Sequence, residues 1–354
     1  MVRPVSRMIA ALILAGRRFR RGHVSLYLGL GLLGLVPMSA GAVEFPNEES
    51  GSFRFESKGD EAELPEIYRL KARDFSFQMK LKSRKEGLGI VIHEVSFPSP
   101  FESPHKENNT VWAEYYRPID AQDKAQDKKV PAIVVLDITG GDQSLSRMIS
   151  TQLARKGVHA LFVQMAYYGP RKPKGTNLKL LSTDILQTVK GVQQTVQDLR
   201  VAAAFLESRP EVDAKRIGIT GTSLGSFFAA LGAEMEPRYS RCSVLLGGGG
   251  FIDGFYNHPE AGLFRLVWEG LGNNQARAAQ LIAPYDPITL ASRLKSKKVL
   301  IMAASKDEIV APRMAKALWE ESGKQKILWF DAGHYSAIVH LPEAINEIAK
   351  LMQE

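Results

Sequence analysis

The chain has 354 residues, of which 45% are hydrophobic, 24% charged and 8% aromatic; these proportions exclude wholesale disorder, collagen-like repetition and a multi-span membrane protein. The formal charge of +8 invites a nucleic-acid reading, but six arginines (Arg3, Arg7, Arg17, Arg18, Arg20, Arg21) fall in residues 1–42, which hold no Lys, Asp or Glu. The remainder carries 40 basic against 38 acidic residues, which argues against nucleic acid as a partner.

Residues 1–42 read as a signal peptide. The basic stretch Arg17-Arg18-Phe19-Arg20-Arg21 precedes an apolar run from Val24 to Val36, then Pro37 and the small residues Ser39-Ala40-Gly41-Ala42. Cleavage is expected after Ala42, with export to a periplasmic or extracellular location. The apolar run is 13 residues long, whereas a membrane-spanning helix needs about 20, so no stable span is expected after cleavage. Cys242 is the single cysteine, which excludes a disulfide framework and a cysteine-based metal site.

Residues 43–63 are polar and include a Gly/Ser-rich stretch, as in a flexible lead-in. Residues 64–129 read as an N-terminal extension packing on the core: one short helix, then β-rich segments at 90–96 and 111–116. From 130 to 354 short apolar runs alternate with helical stretches. The runs are 132–136, 160–163, 216–220, 243–246, 299–303 and 327–330; the stretches are 145–155, 183–207, 224–233 and 313–322. Apolar strands joined by helical crossovers predict an α/β fold with a mostly parallel central sheet, covered on both faces. Residues 251–297 are too long for one crossover and read as a small helical, cap-like insertion. Its Phe255 and Trp268, with Tyr168 after an earlier strand, are candidate substrate-binding residues, against the equal alternatives that the insertion's aromatics pack it onto the core and that Tyr168 is simply a strand end.

Chemistry concentrates at Gly221-Thr222-Ser223-Leu224-Gly225, a G-x-S-x-G between a strand and a helix start. In so sharp a turn side chains two residues to either side of the serine would clash, so glycines are needed there and Ser223 projects as a nucleophile. A serine hydroxyl needs a base, and the base needs an acid to orient it. Of seven histidines, His334 follows a strand end beyond the serine and is the candidate base; His340 reads as structural. Asp307 is the first acid after the preceding strand and ranks ahead of its neighbour Glu308, while Asp331 would shape the histidine loop. The oxyanion hole would combine the Leu224 N–H with that of Thr139 or Ile138 in the loop 136–141.

From about Tyr68 onward the chain resembles bacterial α/β-hydrolases of the dienelactone hydrolase, acetyl xylan esterase and prolyl-oligopeptidase-like group. The shared features are Arg209-Pro210-Glu211-Val212-Asp213 leading into Arg216-Ile217-Gly218-Ile219, the serine turn, Asp286-Pro287, Ser305-Lys306-Asp307, Gly333-His334 and Tyr167-Tyr168-Gly169-Pro170-Arg171. The resemblance implies an α/β-hydrolase fold with a sheet of about eight strands, and Ser223, Asp307 and His334 as triad. Two departures stand out: relatives often carry His-Gly where this chain has Asp137-Ile138, and dienelactone hydrolases proper use a cysteine nucleophile.

The leading expectation is an exported serine carboxylester hydrolase, acetyl-esterase-like, acting on a small-molecule or polysaccharide ester without cofactor or metal. A prolyl-oligopeptidase-like peptidase is the enzymatic alternative, although residues 43–129 are too few for the propeller such peptidases commonly carry. A non-catalytic binding protein on the same fold is the other alternative.

Overall fold

The computed structural model describes residues 45–119, 129–140, 142–182, 184–257 and 261–354. The expected signal peptide, 1–42, lies outside the described residues, and among these no helix is long and apolar enough to cross a membrane.

Among the described residues a single sheet of ten strands organises the fold: β1 (Glu48–Phe55), β2 (Arg73–Lys85), β3 (Ile90–Pro98), β4 (Thr110–Pro118), β5 (Val130–Leu136), β6 (His159–Val163), β7 (Val212–Thr222), β8 (Tyr239–Leu245), β9 (Lys298–Ala304) and β10 (Lys326–Phe330). Their spatial order is β1-β2-β3-β4-β6-β5-β7-β8-β9-β10. The first four strands pair antiparallel, β4 joins β6 antiparallel, and the six from β6 to β10 are parallel.

Burial explains why the parallel strands read as unbroken apolar runs. Along β5, Ala132, Val134 and Leu136 face one core, which includes residues of α2 (Ile185–Ser208), α3 (Leu224–Met235) and α6 (Pro312–Glu321). Ile133 and Val135 face the other, shared with α1 (Ser144–Arg155) and α7 (Leu341–Gln353). With helices on both faces, no strand residue needs to be polar.

The expectation of a flexible lead-in is corrected. Residues 48–55 form strand β1, paired along its whole length with β2, from Glu48 opposite Lys80 to Phe55 opposite Arg73. Glycine and serine suggested disorder, but Phe53 and Phe55 alternate onto one face and are buried. Phe53 packs at 5.6 Å ring-centroid distance on both Phe75 and Phe205, the latter on α2. Eight strands, β3 to β10, make up the sheet of about eight that was expected; β2 from the extension and β1 from the lead-in add two more at its edge.

The insertion after β8 comprises a π-helical turn (Ile252–Tyr256), α4 (Gly262–Gly270), α5 (Gln275–Ile282) and two 3-10 segments, Ala283–Tyr285 and Pro287–Ser296. Asp286 anchors it, its carboxylate accepting the N–H groups of Gly250, Phe251 and Ile288. The Tyr68 hydroxyl donates to Pro284 O at 2.8 Å, tying the N-terminal extension to the insertion.

One buried acid sets a stability expectation. Glu234, on α3, is buried, and neither carboxyl oxygen has a hydrogen-bond partner among the described residues. Burial, reinforced by the Asp286 charge and only partly offset by Arg293 and Lys297, holds its pKa well above the usual carboxylate range. The unfolded chain ionises first as pH rises, so this group costs stability increasingly between its unfolded and its native pKa. Glu234→Gln should flatten that decline, gaining about 1.4 kcal/mol for each pH unit of elevation once both states would have ionised. Melting curves of both proteins from pH 5 to pH 9 check this; parallel curves would contradict it.

Candidate active site

Strand β7 ends at Thr222 and α3 begins at Leu224, leaving Ser223 to make the whole turn at φ 52°, ψ −117°. An L-residue there carries strain on the order of 1–3 kcal/mol, retained only where the surroundings enforce it. Those surroundings are evident. Ser223 N–H donates to Leu245 O at 2.9 Å, and the Ser226 hydroxyl donates to Ser223 O at 2.5 Å. A Cβ on Gly221 would lie 2.1 Å from Gly225 O, and one on Gly225 would lie 2.5 Å from Asp137 O. Both glycines are required by backbone contact.

The chain ends of three strands converge here. His334 lies in the loop after β10, with Nε2 3.0 Å from Ser223 Oγ and Nδ1 2.8 Å from Asp307 Oδ2. Asp307 follows β9, and its Oδ1 accepts the N–H groups of Ile309 (2.8 Å) and Val310 (2.7 Å). Both side chains are buried. Such a chain of hydroxyl, imidazole and carboxylate can draw a proton from the hydroxyl and stabilise the imidazolium that forms.

The runner-up acids have other partners. Glu308 accepts the His334 backbone N–H at 3.0 Å, and a Cβ on Gly333 would lie 2.7 Å from the same Oε2. Asp331 is exposed and pairs with Lys306 at 2.7 Å, a hydrogen bond that lowers its pKa. His340 stacks flat on Phe330 at 4.6 Å, a packing role.

Leu224 N–H is the first amide of α3 and has no intrahelical acceptor. The facing loop after β5 is tied at two points. Asp137 Oδ1 accepts the Ile138 N–H at 2.8 Å, and Gly140 N–H donates to the Tyr168 hydroxyl at 3.1 Å. Thr139 lies between these tethers and is exposed. Burial raises the Asp137 pKa and pushes the Tyr168 phenol up to about 12.

The three expected substrate residues fare differently. Tyr168 is half-buried with its hydroxyl accepting from the loop. Trp268 takes the packing reading, which corrects its candidacy as a substrate residue: it is buried in the insertion's own small core with Tyr256, Ala278 and Ile282, and its indole N–H donates to Asn274 O. A large aromatic was needed to hold two short helices together, and composition does not distinguish that from a platform. Phe255 falls in the π-helical turn, and its side chain lies outside the described residues.

Two features went unread in the sequence. Phe227, one helical turn after Ser223, meets Phe251 edge-on at 5.3 Å, both rings half-buried. Tyr335 is exposed and sets its ring edge-on against the His334 imidazole at 5.5 Å. The i+4 spacing from the serine was the available signal for Phe227. Cys242, by contrast, is buried in β8 with its thiol pushed up to about 12 by burial, which makes it inert. Among the described residues no group of three or more His, Cys, Asp or Glu side chains could hold a metal ion.

The model of the dienelactone hydrolase family matches residues 119–338, more than half of the chain. The chain belongs to this family. It is a hydrolase family, and here a serine occupies the turn where dienelactone hydrolases proper carry cysteine. Two curated uncharacterized proteins of Mycobacterium tuberculosis are each 28% identical over 190 residues, 50% of this chain and 42% of theirs; the match thus spans less than half of those relatives. Among solved structures, an acetyl xylan esterase from Paenibacillus sp. R4 superposes with a TM-score of 0.60 at 20% identity, covering 77% of this chain and 88% of that one. Acetyl xylan esterase 1 from Thermoanaerobacterium gives 0.50 at 17% identity, covering 78% and 87%. At these identities the likeness carries the α/β-hydrolase fold.

Proposed function

We propose that the protein is an exported serine carboxylester hydrolase working through an acyl-enzyme, with Ser223, His334 and Asp307 as its triad. The observation that carries this reading is the unbroken hydrogen-bonded chain from Ser223 Oγ through both imidazole nitrogens to Asp307, seated on a strained turn. Ser223 Oγ attacks the ester carbonyl carbon while His334 Nε2 takes its proton. The oxyanion that develops is held by the N–H groups of Leu224 and Thr139; losing one such donor costs about 10²–10³ in rate. Collapse breaks the bond to the alcohol, which leaves with the proton from His334. Water then repeats the sequence on the acyl-Ser223 ester, releasing the acid and restoring the serine.

Ester substrates are favoured over peptides because residues 45–118 supply four strands of the central sheet, joined by short 3-10 segments and loops, and none of the blades of a propeller. Hydrolysis of p-nitrophenyl acetate, butyrate and octanoate tests the reading: Ser223-dependent turnover with a chain-length preference supports it. Cleavage of prolyl peptides without ester turnover would favour the peptidase. Residues 1–42 are proposed as a cleaved export signal; N-terminal sequencing of the mature protein should begin at Val43, and a retained leader would contradict this.

A further inference from the structure

Five non-glycine residues among those described have positive φ, and two besides Ser223 follow parallel strands at the same edge of the sheet: Tyr167 (φ 64°) after β6 and Leu246 (φ 55°) after β8. For a bulky aromatic, the left-handed region is a genuine outlier, tolerated only where the surroundings over-determine it. Around Tyr167 they do so with a buried polar network. Tyr167 N–H donates to Asn108 Oδ1 at 3.0 Å, and the Asn108 amide donates to Gln194 Oε1 at 2.6 Å. Arg171, fully buried, donates to Gln164 O and Asn108 O and pairs with Asp198 at 2.7 Å; Asp198 in turn accepts from the Ser99 hydroxyl. Ser99 and Asn108 belong to the N-terminal extension, whereas Gln194 and Asp198 are on α2.

What this strained turn delivers is the Tyr168 hydroxyl, 3.1 Å from Gly140 N. The amide before Thr139 is held by Asp137 and the amide after it by Tyr168, so the exposed Thr139 sits in a loop fixed on both sides. We infer that Tyr168 is a positioning residue for the oxyanion loop rather than a substrate contact, held in place by the Asn108–Arg171–Asp198 network of the extension and α2. This deepens the esterase reading and rests on it. The extension thereby gains a role in the active site, since its Ser99 and Asn108 lock the turn that carries Tyr168.

Tyr168→Phe tests the inference, since it keeps the ring and removes only the acceptor for Gly140 N–H. The expected result is a kcat lowered about tenfold with KM unchanged, less than the 10²–10³ that losing an oxyanion donor outright costs, because the donor is loosened and not removed. The loss should be equal for acetate, butyrate and octanoate esters. The affinity for phenylboronic acid, whose tetrahedral adduct on Ser223 places an oxygen where the oxyanion develops, should fall by the same factor in calorimetry. A loss confined to one ester, or a change in KM alone, would make Tyr168 a substrate contact and overturn the inference. Unchanged boronate affinity would overturn it as well, leaving the esterase reading intact. Absence of any boronate adduct on Ser223 in the unmutated protein would overturn both.

Discussion

Ser223→Ala should lower ester turnover at least a thousandfold, about the scale set by losing a triad member, while the protein still folds. Ser223 is partly exposed, and the side-chain partner of its hydroxyl among the described residues is His334, so removing it opens no sizeable cavity. Alanine inherits the strained φ of 52°, so its melting temperature should match that of the unmutated protein. Ser223→Gly should be equally inactive yet more stable by about 1 kcal/mol, because glycine adopts that conformation without the Cβ penalty. Circular dichroism melts beside the kinetic assay separate the two effects. An inactive Ser223→Ala that fails to fold would show that the serine is structural.

Asp307→Asn should cost about 10⁴ in kcat, the loss expected when the imidazole is held in the wrong tautomer. Asp307 Oδ1 accepts two backbone N–H groups, from Ile309 and Val310. An asparagine must put its carbonyl oxygen there, because its NH₂ cannot accept. The NH₂ is then turned toward His334 Nδ1, which has to accept, leaving the proton on Nε2 pointed at Ser223 Oγ. The base is blocked although every heavy atom stays in place. Glu308→Gln, one residue along, keeps an acceptor for the His334 N–H and should lose far less. Similar losses in the two variants would refute the division of labour between these neighbours.

The two halves of the chain were unequally legible. The parallel strands announced themselves because burial on both faces leaves an unbroken apolar run, and β7 followed by Gly-x-Ser-x-Gly fixed the site's centre. Order along the chain then led from Ser223 to Asp307 and His334, since the parallel strands deliver their C-terminal ends to one edge. The antiparallel part was harder. In β1 the apolar face consists of Phe53 and Phe55 alone, within a stretch whose Gly, Ser and Glu residues suggest a linker. In β2, Phe75, Phe77 and Met79 do alternate with polar residues, a signal that was present and unread. Trp268 and Tyr168 show a different limit. Composition identifies an aromatic near a strand end or in an insertion, but whether it faces substrate, a small core or a loop amide depends on contacts between residues distant in sequence. The Gly140–Tyr168 bond, spanning 28 positions, has no local signature.

The central claim is a covalent intermediate on Ser223. It is tested most directly by mixing the mature protein with p-nitrophenyl acetate, quenching in acid during turnover, and mapping the acetyl group by peptide mass spectrometry. Acetylation is expected on the peptide containing Ser223, accumulating in step with a burst of p-nitrophenol and absent from Ser223→Ala. Sustained hydrolysis with Ser223 unmodified, or an acetyl group carried at the same rate in Ser223→Ala, would contradict it.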